Sequence, residues 1–180
     1  LVSSELHVAG YYASGMLSVI RTTDEDGAVL VSYTDKEGRT LCEERHLRQP
    51  DGTTDRLVTR YVYDACGRLS WVLTPEGTDR LVQGERYAGT SDLAHRYCYV
   101  YRYDSRGRCV ERRLPGRGPD YSVYDRSDRL VMSQDGNLRS KKQWLLYTYD
   151  AFNRPSSQRL ATDTSTADPS ERHAAFCAMF

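Results

Sequence analysis

The sequence predicts an all-β protein of consecutive antiparallel hairpins followed by a short C-terminal helix, and three observations predict it. Tyrosine is 14 against phenylalanine 3, a bias suited to half-buried pleated surfaces where a ring packs while its hydroxyl reaches a polar partner. Hydrophobic residues are 39% of the 180 positions, low for a compact enzyme core and natural for sheets that keep one face in water. The third observation is an internal repeat, which decides architecture before any single residue does.

Tyr61-Val-Tyr63-Asp64-Ala-Cys-Gly67-Arg68 recurs as Tyr101-Arg-Tyr103-Asp104-Ser-Arg-Gly107-Arg108 and as Tyr147-Thr-Tyr149-Asp150-Ala-Phe-Asn153-Arg154. Two weaker copies are Ser32-Tyr-Thr-Asp35-Lys-Glu-Gly38-Arg39 and Ser122-Val-Tyr124-Asp125-Arg-Ser-Asp128-Arg129. The spacing specifies a turn. An aspartate at its first position bonds amides further along, and the fourth position must accept a left-handed backbone. Glycine accepts it freely at three copies, and Asn153 and Asp128 are the residue types that tolerate it elsewhere. Each copy therefore reads as strand, type I turn, strand, and five copies as five hairpins.

Around these hairpins the remaining elements follow in order. Residues 1–27 are expected to be an N-terminal β segment that continues a parent fold, with a strand at Met16–Arg21. Residues 28–160 form the repeat region, with a further strand at Arg80–Tyr87 and a rigid proline-flanked loop at Leu114–Asp120. Residues 161–180 are a polar linker over Ala161–Asp168 and then a helix, capped by Asp168 with Pro169 in its first position and Glu171 at its positive end. Tyr61 and Tyr63, Tyr101 and Tyr103, and Tyr147 and Tyr149 lie two apart and so share a side of their strands, with Tyr124 in the fourth copy. Leu69, Trp71 and Leu73 continue the alternation past the turn, and stacked hairpins are expected to bring such rings together as cross-strand pairs.

Charge and chemistry exclude several classes. Lys+Arg is 25 and Asp+Glu is 25, so the net positive charge that nucleic-acid binders use is missing, and no nucleic-acid partner is expected. No stretch reaches the roughly 18 apolar residues of a membrane span, and the first residues lack a signal-peptide pattern, so no membrane insertion is expected. Cys42, Cys66, Cys98, Cys109 and Cys177 are an odd set without a C-x-x-C, which reads as reduced thiols. His7, His46, His95 and His173 are far apart, so neither a metal nor a cofactor is predicted. The start without Met and the end at Phe180 predict a piece of a longer reading frame. Exposed sheet edges predict self-association when such a piece is made alone.

The Tyr-x-Tyr-Asp-x-x-Gly-Arg units at 61–68 and 101–108 resemble the YD repeats of the bacterial Rhs (rearrangement hot spot) family, and the resemblance covers about residues 28–160. Tyr121–Val131, Gln134-Asp-Gly136 and Gln143-Trp-Leu145 are similar to segments that accompany those repeats. The resemblance implies a β-sheet spiral, part of a hollow shell that encloses a toxic C-terminal domain, as similar repeats form the shell of animal teneurins. It implies a secreted or cell-surface bacterial protein whose partners are the rest of its parent chain and the enclosed domain. The late core motif of the family, its self-cleavage aspartates and any toxin domain are missing here, so neither proteolysis nor toxicity is carried over.

On this reading the chain is a structural segment and not an enzyme. The repeat aspartates are accounted for by their turns, and Gly116-Arg-Gly118 is too short to cradle a nucleotide. The alternative is a carbohydrate- or partner-binding β module that uses exposed Tyr, Trp and Arg, with Trp144 as the aromatic to test. All but three of the 25 basic residues are arginine, a planar fork suited to carboxylates. Because Arg39, Arg68, Arg108, Arg129 and Arg154 fall just after the turn acids, ion pairs within the sheet are the plainer account of them.

Overall fold

The computed structural model describes residues 5–180, so part of the expected 1–27 segment lies outside the described residues. Two compact units divide the chain, one ending at Val100 and the other running from Tyr101 to Phe180. The division falls inside the expected repeat region, and residue 27 lies within a turn.

In the first unit, β2 (Ser18–Thr23), β3 (Val29–Thr34), β4 (Thr40–Arg48), β5 (Thr54–Tyr63) and β6 (Leu69–Leu73) pair antiparallel in sequence order. A short two-stranded sheet joins β1 (Glu5–His7) to β7 (Arg86–Ala88). The start of β8 (Cys98–Tyr103) then pairs with β6, with Trp71 opposite Val100 and Leu73 opposite Cys98. Between β6 and β8 the chain makes a detour that holds α1 (Pro75–Asp79), β7 and α2 (Asp92–Tyr97). The Oγ of Thr74 accepts from the Gly77 amide to start α1, and the Oγ of Ser91 accepts from the Ala94 amide to start α2.

The detour has a packing function. Trp71, Leu73, Cys98 and Val100 form one apolar face of the sheet, and Leu6, Ala94, Leu81, Leu93, Tyr87 and Tyr97 cover it. Trp71 and Leu73 are each 1% exposed. At about 25 cal/mol per Å² of apolar surface, this burial is what holds the short helices, which are too short to be stable alone.

In the second unit the order continues from the end of β8 through β9 (Cys109–Arg113), β10 (Asp120–Tyr124), β11 (Leu130–Gln134), β12 (Gln143–Tyr149) and β13 (Pro155–Thr162). Between β11 and β12 lies α3 (Gly136–Ser140), capped by Asp135, whose Oδ1 accepts from Leu138. The terminal helix α4 (Pro169–Met179) packs over a core of Tyr121, Val123, Met132 and Trp144 through Phe176 and Cys177. Among the described residues, eleven strands take part in this strand order, with β2 and β13 at its two ends.

All-β hairpins with a short C-terminal helix are therefore the fold, and several details differ from expectation. The strand expected at Met16–Arg21 is Ser18–Thr23. The strand expected at Arg80–Tyr87 is corrected to Arg86–Ala88, because Thr74-Pro75 starts a helix whose exit occupies the residues before it. The linker expected over Ala161–Asp168 begins later, since β13 runs to Thr162 against Gln143. The helix α4 starts at Pro169, with Asp168 Oδ1 accepting from the Ser170 amide at 2.8 Å.

Candidate functional site: a ladder of repeat turns

The five repeat turns share one bonding pattern. Asp35, Asp64, Asp104, Asp125 and Asp150 each accept on Oδ1 from two amides, those of the residues two and four positions on. On Oδ2 each accepts from the Nε of its own repeat arginine, Arg39, Arg68, Arg108, Arg129 or Arg154, at 2.7 Å. The aspartate amide in turn donates to the arginine carbonyl, at 2.8–3.0 Å. The fourth residue donates to the aspartate carbonyl from a left-handed backbone, with φ of 81° at Gly38, 76° at Gly67, 82° at Gly107, 62° at Asp128 and 62° at Asn153. Beside four of these turns the strand register shifts by one residue, which is the bulge that accompanies such a turn.

This pattern holds the carboxylates in their charged form. Burial pushes the Asp104 carboxyl up, but the Arg108 amide and guanidinium and the Arg106 amide outweigh it, so it lies below its ordinary value. At Asp150 the Arg154 amide and guanidinium lower the carboxyl outright.

The turns are also joined to one another. The guanidinium of Arg39 lies over the ring of Tyr63 at 5.3 Å, Arg108 over Tyr124 at 5.2 Å and Arg129 over Tyr149 at 5.2 Å. In each case the tyrosine is the residue just before the aspartate of the following repeat. The tyrosine reciprocates: the Tyr63 hydroxyl donates to the Thr40 carbonyl at 3.1 Å, and that of Tyr149 donates to the Leu130 carbonyl at 2.8 Å. Arg108 Nη1 donates to the Asp125 carbonyl at 2.6 Å and to Asp128 Oδ1 at 3.0 Å, and Arg129 Nη1 donates to Asn153 Oδ1 at 3.0 Å. One arginine thus closes its own turn with Nε and engages the next with its plane and Nη1, a use of the fork that lysine cannot reproduce.

The remaining stripe tyrosines lie on the same strands. Tyr61 donates its hydroxyl to Glu43 Oε2 at 2.9 Å, and burial together with that bond pushes its pKa up to about 12. The Tyr147 hydroxyl lies 3.1 Å from Ser133 Oγ. Tyr101 and Tyr103 are half-buried on β8. The expected ring-on-ring pairing is corrected at Tyr63, Tyr124 and Tyr149, where a guanidinium faces the ring. The register sets Tyr61 opposite Val72 and so puts it on the face away from Trp71 and Leu73.

Other features escaped the sequence reading. The backbone turn recurs at Asp24–Ala28 and Gln49–Thr53, with Gly27 and Gly52 in the left-handed position, but neither has the terminal arginine and the second starts with Gln49. Glu111, 3% exposed, receives Arg102 Nη1 at 3.0 Å and Arg113 Nε at 2.6 Å. His173, 1% exposed, stacks on Tyr121 at 4.5 Å, and its Nε2 donates to the Ser122 carbonyl at 3.0 Å. That Nε2 is therefore the protonated nitrogen and has no lone pair with which to activate Cys177, whose Sγ lies 3.3 Å away. Only the hydrogen-bonding pattern to Ser122 marks this tautomer, and no sequence spacing announces it.

The binding-module alternative relied on exposed tryptophan, and this is corrected: Trp144 is 2% exposed and Trp71 1%. Phe176 meets Trp144 edge to face at 5.2 Å, so α4 covers the ring. Among the described residues no group of three or more His, Cys, Asp or Glu is placed to hold a metal ion, and the five cysteines are unbridged. Among the described residues no helix is long and apolar enough to cross a membrane.

The site is thus that of a repeat-hairpin β protein in which the repeated residues bind the hairpins to one another. No protein-family model matches the sequence, and no curated protein matches it. Solved structures do match in fold. The chain superposes on a chain of the TcdB2-TccC3-Cdc42 crystal structure with a TM-score of 0.58 at 16% identity, over 78% of its own length. It superposes equally far on TcdB2-TccC3-TEV, at 0.54 and 17%, and on TcdB2-TccC3 without its hypervariable C-terminal region, at 0.55 and 17%. In each case it spans 6% of the solved chain, and what it shares with these chains is the fold.

Proposed function

We propose that this chain is a non-catalytic segment of the wall of an Rhs-type shell, whose work is to enclose a C-terminal effector domain of its parent chain. One observation carries the reading: the residues of the repeat are consumed in joining hairpin to hairpin. Aspartate, arginine and tyrosine bond within the turn and to the next turn, so the chemistry that sequence repetition preserves is mechanical. The shared fold with TcdB2-TccC3 chains supports it, and one of those proteins is described as having a hypervariable C-terminal region. The reading places the protein among secreted or cell-surface bacterial proteins, with its parent chain and enclosed domain as partners.

Electron cryo-microscopy of the protein encoded by the complete reading frame tests it. A hollow β shell with these hairpins in its wall and density inside is the expected result. A frame without flanking Tyr-Asp repeats, or a particle without a cavity, would overturn it.

A further inference from the structure

The ladder ends on a rung that differs from the others. Arg39, Arg108 and Arg129 each lie over the tyrosine of the following repeat, and their side chains are 34%, 20% and 32% exposed. Arg154 keeps the Nε bond to its own aspartate but is 73% exposed. Its guanidinium rests 5.3 Å from the ring of Phe152, a residue of its own turn that is itself 80% exposed. Beside it, β13 ends the strand order, so its outer backbone groups face no further strand among the described residues.

We infer that the outer edge of β13 is a docking site for an antiparallel strand that ends in Tyr-Asp, with the arriving tyrosine ring seated on the Arg154 guanidinium in place of Phe152. This deepens the shell reading and rests on it for the source of the strand. The chemistry of the occupant is set by the rungs already filled. Its hydroxyl donates to the Pro155 carbonyl, the position that Thr40 and Leu130 hold for Tyr63 and Tyr149. An acceptor on the arriving turn takes Arg154 Nη1, as Asn153 takes that of Arg129. Pro155 lacks an amide but keeps the carbonyl that the rung uses. Leu160, 57% exposed on the same strand, offers apolar contact along the edge.

A second copy of this chain does not fit. Its Tyr-Asp strands β5, β8, β10 and β12 all have a strand on both sides. Its terminal strands β2 and β13 contain no tyrosine. The occupant is a strand of another repeat segment.

The probe is a synthetic peptide of residues 120–129 (Asp-Tyr-Ser-Val-Tyr-Asp-Arg-Ser-Asp-Arg), titrated against the intact 180-residue chain and read by anisotropy of a dye on the peptide. Saturable binding is expected. Tyr124→Ala in the peptide and Arg154→Ala in the chain should each weaken it by roughly threefold to fivefold. The two together should weaken it by clearly less than the product of the two single losses, because ring and guanidinium form one shared contact beside the separate bonds of the hydroxyl and of Nη1. The exposure of Arg154 leaves the melting temperature of its variant as the check that the fold is intact. No saturable binding, equal binding of the Tyr124→Ala peptide, or independent losses that multiply would overturn the inference. Self-association of the chain that Arg154→Ala abolishes would place a second copy on this edge and overturn it too. A complete protein without a cavity would sink the shell reading while leaving a coupled peptide result standing, and a shell with uncoupled losses would sink only this inference.

Discussion

Arg129 lies with its guanidinium 5.2 Å from the ring centroid of Tyr149, while the Tyr149 hydroxyl donates to the carbonyl of Leu130, the residue next to that arginine. Two consecutive hairpins are thereby held at a ring, a planar cation and a backbone acceptor, with the same arginine closing its own turn on Asp125. Stability of the repeat sheet then depends on contacts between turns as well as on the strand ladder.

For this rung, a double-mutant cycle of Arg129→Ala and Tyr149→Ala is expected to show a coupling of about 0.5–1 kcal/mol. Tyr149→Phe, which removes only the hydroxyl, should cost about 0.5–1.5 kcal/mol. Urea unfolding of the five proteins measures both, and strictly additive losses in the cycle would remove the rung from the list of stabilising contacts.

The left-handed turn position predicts a backbone effect free of side-chain clash. Gly38 has φ of 81° and nothing within 4 Å of where a Cβ would sit. Gly38→Val should therefore destabilise by roughly 1–2 kcal/mol or more, and Gly38→Asn by less, since asparagine tolerates this region. Equal melting of the two variants would contradict the turn geometry.

Trp144 should report on stability and not on ligand affinity. It is 2% exposed beneath Phe176, so Trp144→Ala leaves a cavity between β12 and α4 and is expected to cost about 3–5 kcal/mol. Denaturant unfolding measures the loss, and an unchanged midpoint would show that α4 does not cover the ring in solution.

His173 makes the docking of α4 sensitive to pH. Burial lowers its pKa from the ordinary 6.5, against the opposing pull of the Ser122 carbonyl, so the folded chain holds it neutral. The unfolded chain takes up a proton first as the pH falls, so the stability that neutral His173 contributes is fully present above about 6.5 and declines as the pH falls from there toward the lowered folded value. His173→Gln keeps a donor for the Ser122 carbonyl and should flatten this dependence. Trp144 fluorescence followed between pH 7 and pH 5 is the readout, and identical profiles for both proteins would exclude His173 as the cause.

The turn carboxylates act in a lower window. Asp104 titrates below its ordinary 3.8 in the fold, so the stability it contributes is present above that value and is lost as the pH falls through the lowered folded one. Asp104→Asn should lose stability at neutral pH, where its amide faces Arg108 Nε, and show a shallower acid limb. Acid titration of unfolding by circular dichroism compares the two limbs.

The five repeat turns were legible in the sequence because every bond that makes them lies within five residues: aspartate oxygens, two amides, one arginine Nε and one left-handed backbone. Such geometry depends on spacing alone, and so did the Asp168-Pro169 start of α4. The turns at Asp24–Ala28 and Gln49–Thr53 use the same backbone without the arginine, which is why repetition did not reveal them. What only the tertiary structure decided is long-range. The detour between β6 and β8 and the helix α4 choose which strand face is covered, and that choice buries Trp71, Trp144 and His173. The pairing of each arginine with the tyrosine of the following repeat is also set by strand order, because insertions of varying length separate the two in the chain while the 4.8 Å spacing of a sheet brings them together in space.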